Sequence, residues 1–176
     1  MKNRRFKIVR NLTLAAASIV AGLAAFHSLA AQQTSGARIL NPRSLKCLQP
    51  VSGSTNVEGA VIVLATCDTA NAAQYWVKVP VSGNVAHYVN QSSQMCLDAR
   101  GAAVNGTPVQ QWQCDKITNE NWQYAQDSGD TAPKLISRVS GTNTYCLAIP
   151  GEGTDDGTAV QILKCNGSPE QHWYAP

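Results

Sequence analysis

The sequence predicts an all-β chain assembled from three like units of about 50 residues each. Two observations carry this expectation. A skeleton of Cys-Leu, a second Cys and a closing Trp occurs three times in steady register. Between these marks lie short apolar runs broken by Gly, Asn, Ser and Asp, with no stretch of helical period long enough to count as a helix.

The first unit runs ARILNPRSLKCLQP…VLATCDTANAAQYW, with Cys47, Cys67 and Trp76. The second runs AHYVNQSSQMCLDA…VQQWQCDKITNENW, with Cys96, Cys114 and Trp122. The third runs LISRVSGTNTYCLAI…VQILKCNGSPEQHW, with Cys146, Cys165 and Trp173. The first Cys steps by 49 and then 50 residues, and the two Cys of a unit lie 20, 18 and 19 apart. The apolar runs (ARIL, AVIVLAT, HYVN, TPVQQWQ, PKLISRV, TAVQILK) read as strands. Asn105-Gly106 and Asp156-Gly157, each followed by Thr and an alternating run, read as tight hairpin turns, and Glu58-Gly59 stands at the same place in the first unit. The three Trp and the Leu after each first Cys (Leu48, Leu97, Leu147) are expected in a shared core around a pseudo-threefold axis.

The opening MKNRRFKIVR, the apolar NLTLAAASIVAGLAAF and the small-residue end around Ser28 and Ala30 read as a signal peptide over residues 1–30, cut after Ala30. The apolar run is short for a membrane span, with a retained anchor as the alternative to cleavage, and no Cys near the cut offers a lipid attachment point. Residues 31–36 read as a linker and 37–176 as the domain, with repeats over about 37–84, 85–132 and 133–176. The whole chain holds 14 Lys and Arg against 11 Asp and Glu, and five of those cations fall before residue 31, leaving 9 against 11. A mature chain of net charge −2 lacks the basic footprint of a nucleic-acid binder. Export makes disulfides the default state of the six Cys. Equal spacing makes pairing within each unit the simplest choice: Cys47–Cys67, Cys96–Cys114 and Cys146–Cys165. Each bridge would add on the order of 3 kcal/mol by restricting the unfolded chain.

The CL(D)…(Q)xWxC…xW pattern, with units ending QYW, ENW and QHW, resembles the ricin B-chain type lectin domain over roughly residues 36 to 176. The resemblance implies a β-trefoil that binds carbohydrate without covalent chemistry. The Gln-x-Trp mark is intact as Gln74-Tyr75-Trp76 and Gln171-His172-Trp173, while the second unit has Glu120 in place of the Gln. A sugar offers hydroxyls, which a carboxylate can bind by accepting two hydrogen bonds, and an apolar ring face, which lies flat on an aromatic side chain. The second unit alone holds both groups at the family's positions: Asp98 as the acid, Trp112 as the stacking aromatic and Asn119 as the amide, with Gln110 and Glu120 in support. Replacing Gln by Glu120 keeps acceptors and removes a donor, so it is expected to shift which hydroxyl is read. At the same places the first unit has Gln49, Ala65 and Ala73 and the third has Ala148, Leu163 and Glu170, so both read as scaffold. Two plainer readings stand beside this one: Asp98 caps a turn before Gly101, and Trp112 belongs to the core, since VQQWQC leaves its face open.

Other chemistry finds little support. His87 and His172 sit in no nucleophile motif, and the Cys spacing is not that of a metal site. GEGTDDG (residues 151–157) reads as an acidic hairpin turn, with a calcium loop built on Glu152, Asp155 and Asp156 as the alternative. In the mature chain sequons stand at Asn90, Asn105 and Asn166. The expectation is therefore a secreted, monomeric, non-enzymatic β-trefoil lectin for galactose- or xylose-type sugars, with one site, no cofactor, no nucleic-acid partner and no membrane span in the mature chain. A toxin or enzyme chain as partner is left open. The competing classes are a trefoil that grips protein, as a protease inhibitor or toxin-targeting subunit, and a glycosidase using Asp98 and Glu120.

Overall fold

The computed structural model describes residues 35–101, 103–141 and 144–176. The expected signal segment and its cleavage point lie outside them. Twelve strands follow in chain order: β1 (Ala37–Arg38), β2 (Leu40–Asn41), β3 (Lys46–Pro50), β4 (Ile62–Thr66), β5 (Tyr75–Ser82), β6 (Val85–Asn90), β7 (Cys96–Ala99), β8 (Thr107–Trp112), β9 (Trp122–Ala125), β10 (Lys134–Ser137), β11 (Tyr145–Ala148) and β12 (Gln161–Lys164). The helical segments among the described residues are single three-residue turns. Nine strands form one antiparallel sheet in the order β1-β5-β6-β7-β8-β12-β11-β10-β9, which a β6–β9 pairing closes on itself. Strands β2, β3 and β4 form a second sheet, tied to the rest by bridges from Leu40 to Tyr174, Val61 to Gln110 and Val63 to Ala159.

The threefold pattern of the sequence is a threefold pattern of contacts. Trp76, Trp122 and Trp173 are fully buried, and each indole N–H donates to the carbonyl of the Leu after the first Cys of its own repeat: Leu48 at 3.2 Å, Leu97 at 2.9 Å and Leu147 at 2.9 Å. A buried indole N–H without a partner costs as much as a lost hydrogen bond, so this repeated bond fixes the depth of each ring. Leu48, Leu97 and Leu147 lie in the same core, with Ile62, Leu64, Val109, Val160 and Ile162 packed among them.

The hairpin glycines lock the repeats together. Gly59, Gly106 and Gly157 stand at φ 79°, 90° and 88°, a left-handed conformation that favours glycine. Their N–H groups donate around a ring: Gly59 to the Gln111 carbonyl at 2.9 Å, Gly106 to Ile162 at 2.9 Å and Gly157 to Leu64 at 2.8 Å. Each repeat therefore hydrogen-bonds the next and the third returns to the first, which is why no single repeat closes alone. The disulfides join Cys47 to Cys67, Cys96 to Cys114 and Cys146 to Cys165, one per repeat, at Cα separations of 5.1, 5.2 and 5.1 Å. These are ordinary spans for the bond.

Candidate functional site

Strands β7 and β8 pair so that Cys96 faces Trp112 and Asp98 faces Gln110. This register brings the acid, its neighbouring amide and the aromatic to one end of one hairpin. Asp98 is only 2% exposed and accepts a hydrogen bond from the Gln110 side-chain amide at 2.8 Å. Burial raises the Asp98 carboxyl above its ordinary value; the Gln110 amide pulls it back, and the charge of Asp115 adds to the rise. The bond to Gln110 sets the carboxylate's direction, in place of the turn cap considered for it. Trp112 is 36% exposed, so its ring is on the surface and not in the core. Asn119, in the helical turn Thr118–Glu120, is half-buried, and its side chain has no hydrogen-bond partner among the described residues. Such an amide is available to a ligand.

Glu120 is fully buried. Its Oε1 accepts from the Asp115 backbone N–H at 2.9 Å and its Oε2 from that of Lys116 at 3.0 Å. Burial pushes its carboxyl up to about 7, the Asp115 amide working against the rise and the Asp115 carboxylate adding to it. Both of its oxygens are taken up by backbone N–H groups, so Glu120 acts on the turn after Cys114, not as a reader of the sugar. His87 on β6 lies beside it, with Nε2 2.7 Å from the Asn121 side-chain oxygen and 4.0 Å from Glu120 Oε2. His87, Cys96 and Glu120 offer atoms within 4.8 Å of one another, but the Cys96 sulfur is spent in its disulfide, so the trio lacks a thiolate for a metal.

Two features of the site escaped the sequence reading. The first is Gln111. Its place is filled by Leu64 in the first repeat and Ile162 in the third, where each pairs across its hairpin with the core Leu, as Gln111 pairs with Leu97. Gln111 is fully buried, donates to the carbonyls of Ser54, Thr55 and Val57 at 3.3, 2.8 and 2.9 Å, and accepts from the Ser93 hydroxyl at 2.8 Å. The second is the first-repeat loop that those bonds hold. At its end a Cβ on Gly59 would lie 3.6 Å from the Trp112 ring, and Glu58 accepts from the Gln113 N–H at 3.3 Å. The wall beside the aromatic thus comes from another repeat. A Gln in register with Leu64 and Ile162 was the available signal.

The corresponding places elsewhere are occupied differently. In the first repeat Gln49 accepts from the amides of Asn71 and Gln74, at 3.0 and 2.9 Å. In the third repeat a cavity of about 660 Å³ lies over Ala148, Leu163 and Glu170, with neither the central acid nor an aromatic. Asp156 of the acidic hairpin is engaged by Lys46 at 2.7 Å and by Thr66, which favours the turn over the calcium loop. Of the sequons, Asn90 is fully buried with its amide on the Ala73 carbonyl, so it offers no glycosylation point in the folded chain.

Residues 85–175 match the model of the ricin-type beta-trefoil lectin domain, and residues 26–112 match that of its lectin domain-like relatives. The chain belongs to the ricin-type β-trefoil lectin family. Among solved structures this ricin-type domain is similar to the designed threefold-symmetric protein ThreeFoil, with a TM-score of 0.69 and 25% identity over 77% of this chain and 94% of that one. It is also similar to part of an exo-β-1,3-galactanase from Clostridium thermocellum, with a TM-score of 0.72 and 28% identity over 82% of this chain and 30% of that one. The hemolytic lectin CEL-III matches with a TM-score of 0.58 and 26% identity over 81% of this chain and 30% of that one. The ricin-type domain thus spans about a third of the length of the latter two proteins. No curated protein matches the chain. Membership of this lectin family carries carbohydrate binding as its general role, and no helix among the described residues is long and apolar enough to cross a membrane.

Proposed function

We propose that the protein is an exported, monomeric lectin that holds a galactose- or xylose-type sugar through one shallow site in its second repeat. Trp112 stacks on the apolar face of the sugar, Asp98 accepts from its hydroxyls and Asn119 completes the polar contacts. Gln110 aims Asp98, and Glu120 holds the turn that follows Trp112. The observation that carries this reading is the surface-exposed Trp112 beside the Asp98–Gln110 pair, a combination whose equivalents are Ala65 beside Gln49 and Leu163 beside Ala148. A galactose-type ligand is further supported by the 28% identity to a module of an exo-β-1,3-galactanase.

Binding without cleavage is the expected chemistry. Glycosidases place two carboxyl groups on either side of a glycosidic bond, whereas Glu120 spends both oxygens on the Asp115 and Lys116 amides and leaves Asp98 without a second carboxyl facing the sugar. A single shallow site of this kind is expected to hold a sugar in the millimolar to tens-of-micromolar range, about −4 to −6 kcal/mol. The test is a glycan array with wild type and Asp98→Ala side by side. Signal on galactosides or xylosides that disappears in the variant supports the site. Binding to no glycan, together with capture of a protein ligand that survives Trp112→Ala, would replace the lectin reading with that of a protein-gripping trefoil.

A further inference from the structure

The side chain that precedes the closing Trp by two residues is Gln in two repeats and Glu in the second, and the structure gives the Glu a different set of partners. Gln74 Oε1 accepts from the N–H of Asp68 at 2.7 Å, and its amide donates to the carbonyl of Thr66 at 2.9 Å. Gln171 repeats the arrangement, accepting from Asn166 at 2.9 Å and donating to Lys164 at 2.9 Å. In both repeats the accepted N–H follows the second Cys and the carbonyl precedes it, so one amide clasps the chain on either side of the disulfide.

Glu120 keeps only the accepting half of this clasp. Its Oε1 takes the Asp115 N–H, the residue after Cys114. As a carboxylate its Oε2 has no hydrogen to give to Gln113, the residue before Cys114, and it takes the N–H of Lys116 instead. Lys116 stands at φ 66°, a left-handed conformation that the third repeat assigns to Gly167 at φ 73°. The carboxylate therefore holds, through two consecutive amides, a turn that a lysine adopts reluctantly.

We propose that Glu120 is a positioning residue that makes sugar binding in the second repeat sensitive to protons. As a carboxylate it holds the Asp115–Lys116 turn; on gaining a proton at Oε2 it becomes the hydrogen-bonding equivalent of Gln74 and Gln171, donates to the Gln113 carbonyl and releases the Lys116 N–H. Gln113 follows Trp112 directly and Asn119 precedes Glu120 directly, so the exchange shifts both segments that carry the sugar contacts. The site described above is the carboxylate form, so binding weakens on acidification. This inference rests on the sugar-site reading.

The titratable groups facing Glu120 come from β6, β7 and its own turn, since the turn Val139–Gly141 packed against it carries none. On β6 His87 lies 4.0 Å away. The turn itself supplies Asp115 and Lys116, whose N–H groups bind the carboxyl. On β7 Cys96 is held in its disulfide and does not titrate, while Asp98 senses Asp115 in turn. The raised carboxyl of Glu120 puts its exchange near neutral pH, where a modest change in acidity switches it.

Glu120→Gln and His87→Gln separate the contributors, because Gln is what the other repeats already use. Backbone amide shifts of the unliganded protein from pH 5 to 8.5 are expected to show a transition at Lys116 near neutral pH, present in wild type and in His87→Gln and absent from Glu120→Gln. Affinity for lactose or xylobiose is expected to fall at least threefold from pH 8 to pH 6 in wild type and to stay level in Glu120→Gln. A Lys116 transition that persists in Glu120→Gln, or that disappears only in His87→Gln, overturns the assignment. So does a wild-type affinity that is level with pH. If neither sugar binds at any pH, the sugar reading falls, and the Lys116 transition alone still decides whether the proton exchange at Glu120 occurs.

Discussion

The second and third repeats carry a Trp at the same place before their ends, and both rings are buried with the indole on a Leu carbonyl. Ten residues before Trp122 the second repeat has an exposed Trp112, and ten before Trp173 the third has Leu163. One pair of positions is identical because both side chains fill one symmetric core. The other pair differs because its side chains face outward, where folding makes no demand on them. Repetition in this chain marks packing, and departure from repetition marks the candidate site.

The sharpest way to break this comparison is to remove each Trp of the second repeat in turn. Trp122→Ala is expected to cost 3–5 kcal/mol, at the upper end for core truncations, because it leaves a large cavity and strands the Leu97 carbonyl. Trp112→Ala is expected to change stability by less than about 1 kcal/mol and to abolish detectable sugar binding. Urea unfolding of both variants checks the first contrast and titration with lactose the second. If Trp112→Ala unfolds the protein as readily as Trp122→Ala, the division between scaffold and site fails.

A smaller effect sharpens the role of Gln111. Gln111→Leu restores the apolar residue type of the other repeats yet removes the bonds to the first-repeat loop, taking this partner from the Thr55 carbonyl and the Ser93 hydroxyl while the Ser54 and Val57 carbonyls keep the N–H groups of Val57 and Ala60. The lost hydrogen bonds make it destabilising by about 1 kcal/mol despite the gain in apolar character. Hydrogen exchange is expected to rise first in the 51–59 loop, which flanks Trp112. A variant more stable than wild type would mean that this polar core member contributes nothing to the loop.

The last effect concerns stability and pH. Glu120 is raised from an ordinary value of 4.5 to about 7, so between these values the folded state holds the proton more tightly than the unfolded one. Its contribution is therefore fully present below about pH 4.5 and is lost as pH rises through about 7. Gln cannot ionise, so Glu120→Gln is expected to exceed wild type by on the order of 1–2 kcal/mol at pH 8, with the gap closing below about pH 5. Unfolding midpoints at the two pH values read this directly. An equal gap at both would show that the carboxyl does not titrate in this window.

Much of the molecule was legible in the residues. The register of Cys, Leu and Trp announced three repeats, and equal spacing announced one disulfide in each, because symmetric cores ask for the same side chain at the same step. The hairpin turns were visible because a left-handed backbone selects Gly, as at Gly59, Gly106 and Gly157. The candidate sugar contacts were legible by contrast, as Asp98, Trp112 and Asn119 against their counterparts.

Depth and direction were not legible. A linear pattern of VQQWQC does not say which of its residues faces out, and the pairing of Cys96 with Trp112 and Asp98 with Gln110 decides it. Nor could it say that Glu120 lies sealed beneath the turn while Trp112 lies on the surface. The loop of the first repeat that walls the site reaches it through hydrogen bonds to Gln111, more than 50 residues away along the chain. The number of repeats, their covalent ties and the one repeat that departs from the others are written in the order of residues, since each depends on residue identity at fixed steps. Which groups of that repeat meet solvent and which hold it in shape emerges on folding, since burial and hydrogen bonding depend on what the rest of the chain brings alongside.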